Sequence, residues 1–265
     1  MKWRNSYAVV AGCAAVSLMT VDAQAQSSFA GFYGQVSTGY ESNQLGSQTD
    51  NVTVTPNTGT ETTNAAASQT FGGAPLIIGA GYYWQANEKW LLGVGADYSV
   101  LKTSSNYSAS GPKIAAGQSL TFNGLGMQLS NRFNLFLTPA YAIDKDKLVY
   151  LKAGYSQVTA QYNRANSVTI TSNGGSSTAS SVGGNQSSNQ GGYLIGLGYK
   201  QIITSGLYGF VEGNYMGYNS PSYTFSSTTA TDNAIHGAGA SKRTVTSSFS
   251  SLNTYQMLIG LGYAF

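Results

Sequence analysis

Residues 251–265 read Ser-Leu-Asn-Thr-Tyr-Gln-Met-Leu-Ile-Gly-Leu-Gly-Tyr-Ala-Phe. Counting back by twos from Phe265 gives Tyr263, Leu261, Ile259, Met257 and Tyr255, an unbroken apolar and aromatic row. The residues between them are Ala264, Gly262, Gly260, Leu258 and Gln256. A repeat of two is the repeat of a strand, whose successive side chains point to opposite faces. One face suits lipid and the other is mostly small or polar. Such a segment predicts a strand in the wall of a membrane barrel.

Composition agrees. The 265 residues include only 9% charged side chains, with 33 Gly, 19 Tyr and a mean hydropathy of -0.12. Soluble domains carry about 25% charged residues, and a helical membrane protein would show apolar runs of roughly 18 residues or more. A barrel whose lipid-facing and lumen-facing residues alternate averages to a middling hydropathy. At the N-terminus, Lys2 and Arg4 precede an apolar segment from Tyr7 to Val21 and then Ala23-Gln24-Ala25. This is the pattern of a secretory signal peptide, so residues 1–25 are expected to be removed and residues 26–265 to form the barrel. Cys13, the single cysteine, lies in that leader. Disulfides and thiolate metal sites are therefore excluded from the mature chain. Loss of Lys2, Arg4 and Asp22 leaves it nearly neutral, which excludes a nucleic-acid partner.

The alternation recurs along the chain. Phe32, Val36 and Tyr40 face one side, with Tyr33, Gln35 and Ser37 on the other. Further strands are expected from Leu76, from Trp90, over residues 125–143, from Val149, from Tyr193 and over residues 207–218. Short turns at residues 86–89, 144–147 and 204–206 alternate with long polar connections near 42–74, 102–124, 163–190 and 220–250. Strict alternation of short and long connections marks an up-and-down barrel, with its short turns in the periplasm and its long loops outside. The fold predicted is an all-β, transmembrane, antiparallel up-and-down barrel of about eight strands. Alternations such as Val52-Thr53-Val54-Thr55 and Ser167-Val168-Thr169-Ile170-Thr171 suggest strands continuing beyond the membrane and keep ten strands open.

This pattern, with the terminal Tyr263-Ala264-Phe265, resembles the small OmpA-like and opacity-type outer-membrane barrels. The resemblance implies an outer-membrane location with both termini periplasmic. It also implies contact with outer-membrane lipid, and recognition of the last strand through Tyr263 and Phe265 by the barrel-assembly machinery. Unlike full-length OmpA-like proteins, this chain shows no domain after the barrel, so a peptidoglycan-binding role is not expected.

On these parities Asp97, Arg132, Lys152, Lys200 and Glu212 point into the lumen. Charges withdrawn from water must pair, so Arg132 and Lys152 are expected to meet Glu212 and Asp97. Similar lumenal clusters occur in OmpA-like barrels. Placing Glu212 inside leaves Gly209, Gly213 and Gly217 facing lipid. Ile-Gly-Ala-Gly-Tyr at 78–82 recurs as Ile-Gly-Leu-Gly-Tyr at 195–199 and 259–263. Without a third Gly and a following helix it is no dinucleotide fingerprint, and no cofactor is expected. His236, the one histidine, sits in the last long connection near Asp232, too little for a catalytic constellation. The function expected is a non-enzymatic structural and surface-interaction role, with a surface ligand bound through the loops. A narrow pore for small solutes is the alternative. A lipid-modifying enzyme built on His236 stands third.

Overall fold

The structure, a computed structural model, describes residues 27–55, 59–110, 119–164, 167–172, 175–180, 184–227 and 242–265. The leader and His236 lie outside the described residues. Among those described, every regular element is a strand. They are β1 (Gly31–Leu45), β2 (Gln48–Thr55), β3 (Gly59–Ala66), β4 (Gln69–Gly73), β5 (Leu76–Gln85), β6 (Trp90–Ser99), β7 (Thr103–Ser110) and β8 (Ser119–Asp144). The second half holds β9 (Lys147–Asn163), β10 (Ser167–Ser172), β11 (Gly175–Ser180), β12 (Asn185–Thr204), β13 (Leu207–Tyr218), β14 (Ser222–Ser227), β15 (Lys242–Phe249) and β16 (Leu252–Ala264).

Eight of these strands close a ring in the order β1, β5, β6, β8, β9, β12, β13, β16 and back to β1, with every neighbour antiparallel. Closure leaves no backbone edge facing hydrocarbon, which is the condition for crossing a membrane with strands. The wall is apolar outside, as the alternation predicts. Phe32, Ile78, Leu92, Leu151, Leu197, Met257 and Ile259 are exposed, while Tyr33, Ile77, Leu91, Lys152, Lys200, Gln256 and Leu258 are buried. Outward aromatics stand in two rows. Trp84, Trp90, Tyr263 and Phe265 lie near the short turns, and Tyr40, Tyr98, Tyr155, Tyr193 and Tyr255 stand toward the long connections. Such paired girdles mark the two interfaces of a membrane barrel.

The stretches expected to be loops are largely strands where described. β14, β15, β2 and β3 form a four-stranded sheet that repeats, beyond the membrane, the neighbour order of β13, β16, β1 and β5. β4 extends β5 along β1, and β7 extends β6 along β8. β10 prolongs β9 on β8, with β11 folded back on β10. The physical reason is that Ser, Thr and Asn make a good outer face for a wall standing in water. Polarity there reports solvent and says nothing about hydrogen-bonding state. The ten-strand alternative is not what forms: the additional strands lengthen the wall and do not widen the ring.

One expected facing is corrected. The regular alternation of the fourth expected strand puts Leu129 on the lipid side with Phe133. Instead β8 holds one residue more than β9 between the pairs Ser130/Thr159 and Phe133/Gln157. This is a β-bulge. Asn131 takes the extra position at φ 51°, a left-handed conformation that Asn adopts more readily than most residues, and its side chain accepts a hydrogen bond from the Tyr98 hydroxyl at 2.9 Å. Below the bulge Arg132, Asn134 and Phe136 face inward. Above it Leu129, Met127 and Leu125 do.

Candidate functional site

The lumen is filled in three layers. At the short-turn end Tyr33, Tyr83, Tyr150, Tyr208 and Phe210 pack together. Glycines on adjacent strands make room for these rings, because a Cβ on Gly198 would stand 2.2 Å from Tyr150 and one on Gly262 2.3 Å from Tyr208. Residues 27–30 cross the mouth beneath them. The Ser27 amide donates to the Gln85 side chain at 3.0 Å, the Ser28 amide to the Lys145 carbonyl at 3.4 Å, and Phe29 packs on Tyr208. At the opposite end Leu45, Met127, Val158, Leu194, Met216, Tyr223 and Leu252 form an apolar core.

Between them lies the ionic layer, in two clusters. In one, Lys152 Nζ donates to Asp97 Oδ2 at 2.8 Å and to Glu212 Oε1 at 2.9 Å. Tyr150 and Asn214 donate to Glu212, each at 2.7 Å, and Asn134 donates to Asp97 at 2.6 Å. In the other, Arg132 grips Glu41 with both terminal nitrogens, Nη1 on Oε2 and Nη2 on Oε1 at 3.1 Å. Its Nε donates to the Tyr218 hydroxyl at 3.0 Å. Gln256 and Asn43 also donate to Glu41, at 2.7 and 2.9 Å. The fork geometry of a guanidinium suits such bidentate pairing.

The structure therefore brings Asp97, Lys152 and Glu212 together as expected, with Glu212 inside and Gly209 outside. It separates Arg132 from them, because its partner is Glu41, which the sequence reading did not single out. The signal was available: continuing Tyr33, Gln35, Ser37 and Gly39 by twos leads to Glu41 and Asn43. Lys200 also faces inward but joins neither cluster. Its ammonium stands 4.1 Å from the centre of the Tyr33 ring and 4.8 Å from that of Tyr208, and donates to Gln35 at 3.2 Å. Electron-rich ring faces attract a cation in such a cage. Tyr263 and Phe265 project outward, their ring centroids 5.0 Å apart.

Six ionisable side chains thus share the lumen, Glu41, Asp97 and Glu212 with Arg132, Lys152 and Lys200, and all but Lys200 are joined in ion pairs. The arrangement holds two opposite strand arcs together and fills the space between them. Among the described residues there is no grouping of three or more His, Cys, Asp or Glu side chains that could hold a metal ion.

Comparison of the sequence with known protein families and with curated proteins finds no match. Among solved structures the chain is similar to the attachment invasion locus protein Ail of Yersinia pestis at 12% identity and a TM-score of 0.35, covering 89% of this chain and 99% of that one. It is also similar to the outer membrane protease OmpT from Escherichia coli at 10% identity and a TM-score of 0.45, covering 92% and 99%. The outer membrane protein OprG from Pseudomonas aeruginosa is matched at 13% identity and a TM-score of 0.46, covering 89% and 96%.

Proposed function

We propose that the protein is a non-enzymatic outer-membrane barrel of the small OmpA-like and opacity type, whose membrane part is a filled anchor and whose strand walls above it meet a surface partner. The observation that carries this reading is the lumen, packed by an aromatic layer, an ionic layer and an apolar layer in succession. About eight strands leave an interior just wide enough for side chains to fill it. That favours an anchor over the narrow pore. The leader expected from the sequence supports a place in the envelope of a Gram-negative cell, and the short-turn and long-wall asymmetry supports short turns and both described chain ends in the periplasm. Tyr263 and Phe265 would then serve the assembly machinery.

Planar-bilayer conductance of the refolded barrel, beside a variant carrying Arg132→Ala and Glu212→Ala, tests the proposal. Silence of the native protein is the expected result. Steady native conductance would overturn it and make the ionic layer a filter.

A further inference from the structure

The outer wall carries a furrow of about 610 Å³ on β12, β13, β16 and β1. Its floor is Gly209, and Ile203, Leu261, Val36 and Tyr199 stand around it. Gly209 is not there to relieve crowding, since a Cβ on it would stand 3.5 Å from Ile203 Cδ1 and 4.0 Å from Leu261 Cδ2, ordinary contacts. Nor does its backbone need a glycine, for its φ is not positive. Glycine in a strand interior weakens the strand and marks places where a ligand approaches the backbone closely.

The furrow lies on the lipid-facing side, between the two aromatic rows and nearer the short turns: Gly209 pairs with Leu261, between Tyr263 and Tyr255. Only lipid or another barrel reaches that depth. A stable dimer needs roughly 800 Å² per partner, and a furrow centred on one glycine offers far less. Beside that floor, at the same level, stands Gln201, paired with Gly209 across the ladder and exposed. Its amide oxygen accepts the Tyr199 hydroxyl at 3.0 Å, and its amide N–H groups donate to no acceptor among the described residues. A half-satisfied amide at a membrane interface is matched by an ester or phosphate oxygen.

We infer that this furrow seats one glycerophospholipid of the leaflet at the short-turn end, an acyl chain lying over Gly209 and the ester region reaching Gln201. The inference needs only the transmembrane wall and stands apart from the role of the surface walls. To test it, the barrel is reconstituted in vesicles of phosphatidylethanolamine and phosphatidylglycerol, extracted gently, and weighed intact by native mass spectrometry. Wild type is compared with Gly209→Leu, which fills the furrow, and with Gln201→Leu, which removes the polar contact and leaves the furrow open. Wild type should retain one phospholipid per barrel. Gly209→Leu should lower that retention about tenfold, as loss of apolar burial worth one decade of affinity implies, with unchanged thermal stability, and Gln201→Leu should lower it less. Equal retention in wild type and both variants, including none in any, would overturn the assignment. So would a wild-type mass of two copies without lipid that Gly209→Leu converts to one.

Discussion

The membrane belt and the wall above it are built from the same strands and solve opposite problems. In the belt the outside is hydrocarbon, so apolar side chains point out and Arg132, Lys152 and Glu212 point in. Above it the outside is water, so Gln157, Thr159 and Gln161 point out while Val158, Ala160 and Tyr162 are buried. The belt is inside-out and the upper wall is built like a soluble sandwich. β9 makes the change by composition alone, keeping its parity from Lys152 through Tyr162. β8 makes it by inserting Asn131, which exchanges the two faces in a single step. A bulge is thus a way to change solvent without changing strand.

The comparison breaks most sharply at the belt. Arg132→Ala leaves Glu41 buried without its ion partner and should cost about 3–5 kcal/mol, read as a lower urea midpoint for the whole barrel. Glu41→Gln in the same chain should recover part of that loss. In the upper wall, Met127→Ala opens a cavity in the apolar core and should cost about 2–5 kcal/mol locally. Limited proteolysis above the membrane should rise while the belt stays protected. Asn131→Val forces a β-branched residue to positive φ, with a penalty of about 1–2 kcal/mol. Hydrogen exchange should quicken first around residues 125–133.

The upper wall should also respond to alkali where the belt does not reach. Burial pushes the Tyr162 phenol up to about 12, with the Asp50 carboxylate adding to it, and burial likewise raises Tyr107 and Tyr223. A folded-state value above the ordinary one of about 10 means full stability below pH 10, lost as pH climbs toward 12. Tyrosinate absorbance and protease sensitivity should rise together in that window. The smallest effect belongs to the exposed turn. There a hydrogen bond from Lys147 holds the Asp144 carboxyl below its usual range, and Asp144→Ala should leave the melting temperature within error because solvent screens such pairs.

What the sequence made legible follows the same division. In the belt, lipid on one side imposes a strict period of two, so the eight strands, their facing except across the bulge at Asn131, and the inward position of Asp97, Lys152, Lys200 and Glu212 were readable. The upper wall was read mostly as loop because Ser, Thr and Asn suit a strand's watery face and a loop alike. The true partner of Arg132 was hidden by a different cause. Charge pairing depends on how strands wrap around the ring, and nothing local in β8 points to Glu41 in β1.

The seam between β1 and β16 pairs Tyr33 with Ala264 and Leu45 with Leu252, joining almost the two extremes of the described chain. Such a ladder has the highest contact order the molecule offers, and contacts of that kind form slowly. Until β16 arrives, β1 and β13 each hold an open edge, prone to pairing with the wrong strand and unable to face hydrocarbon. Stable residence in the membrane is therefore expected to be coupled to closure by the last strand, and any escort that guards the chain until then has two particular edges to shield.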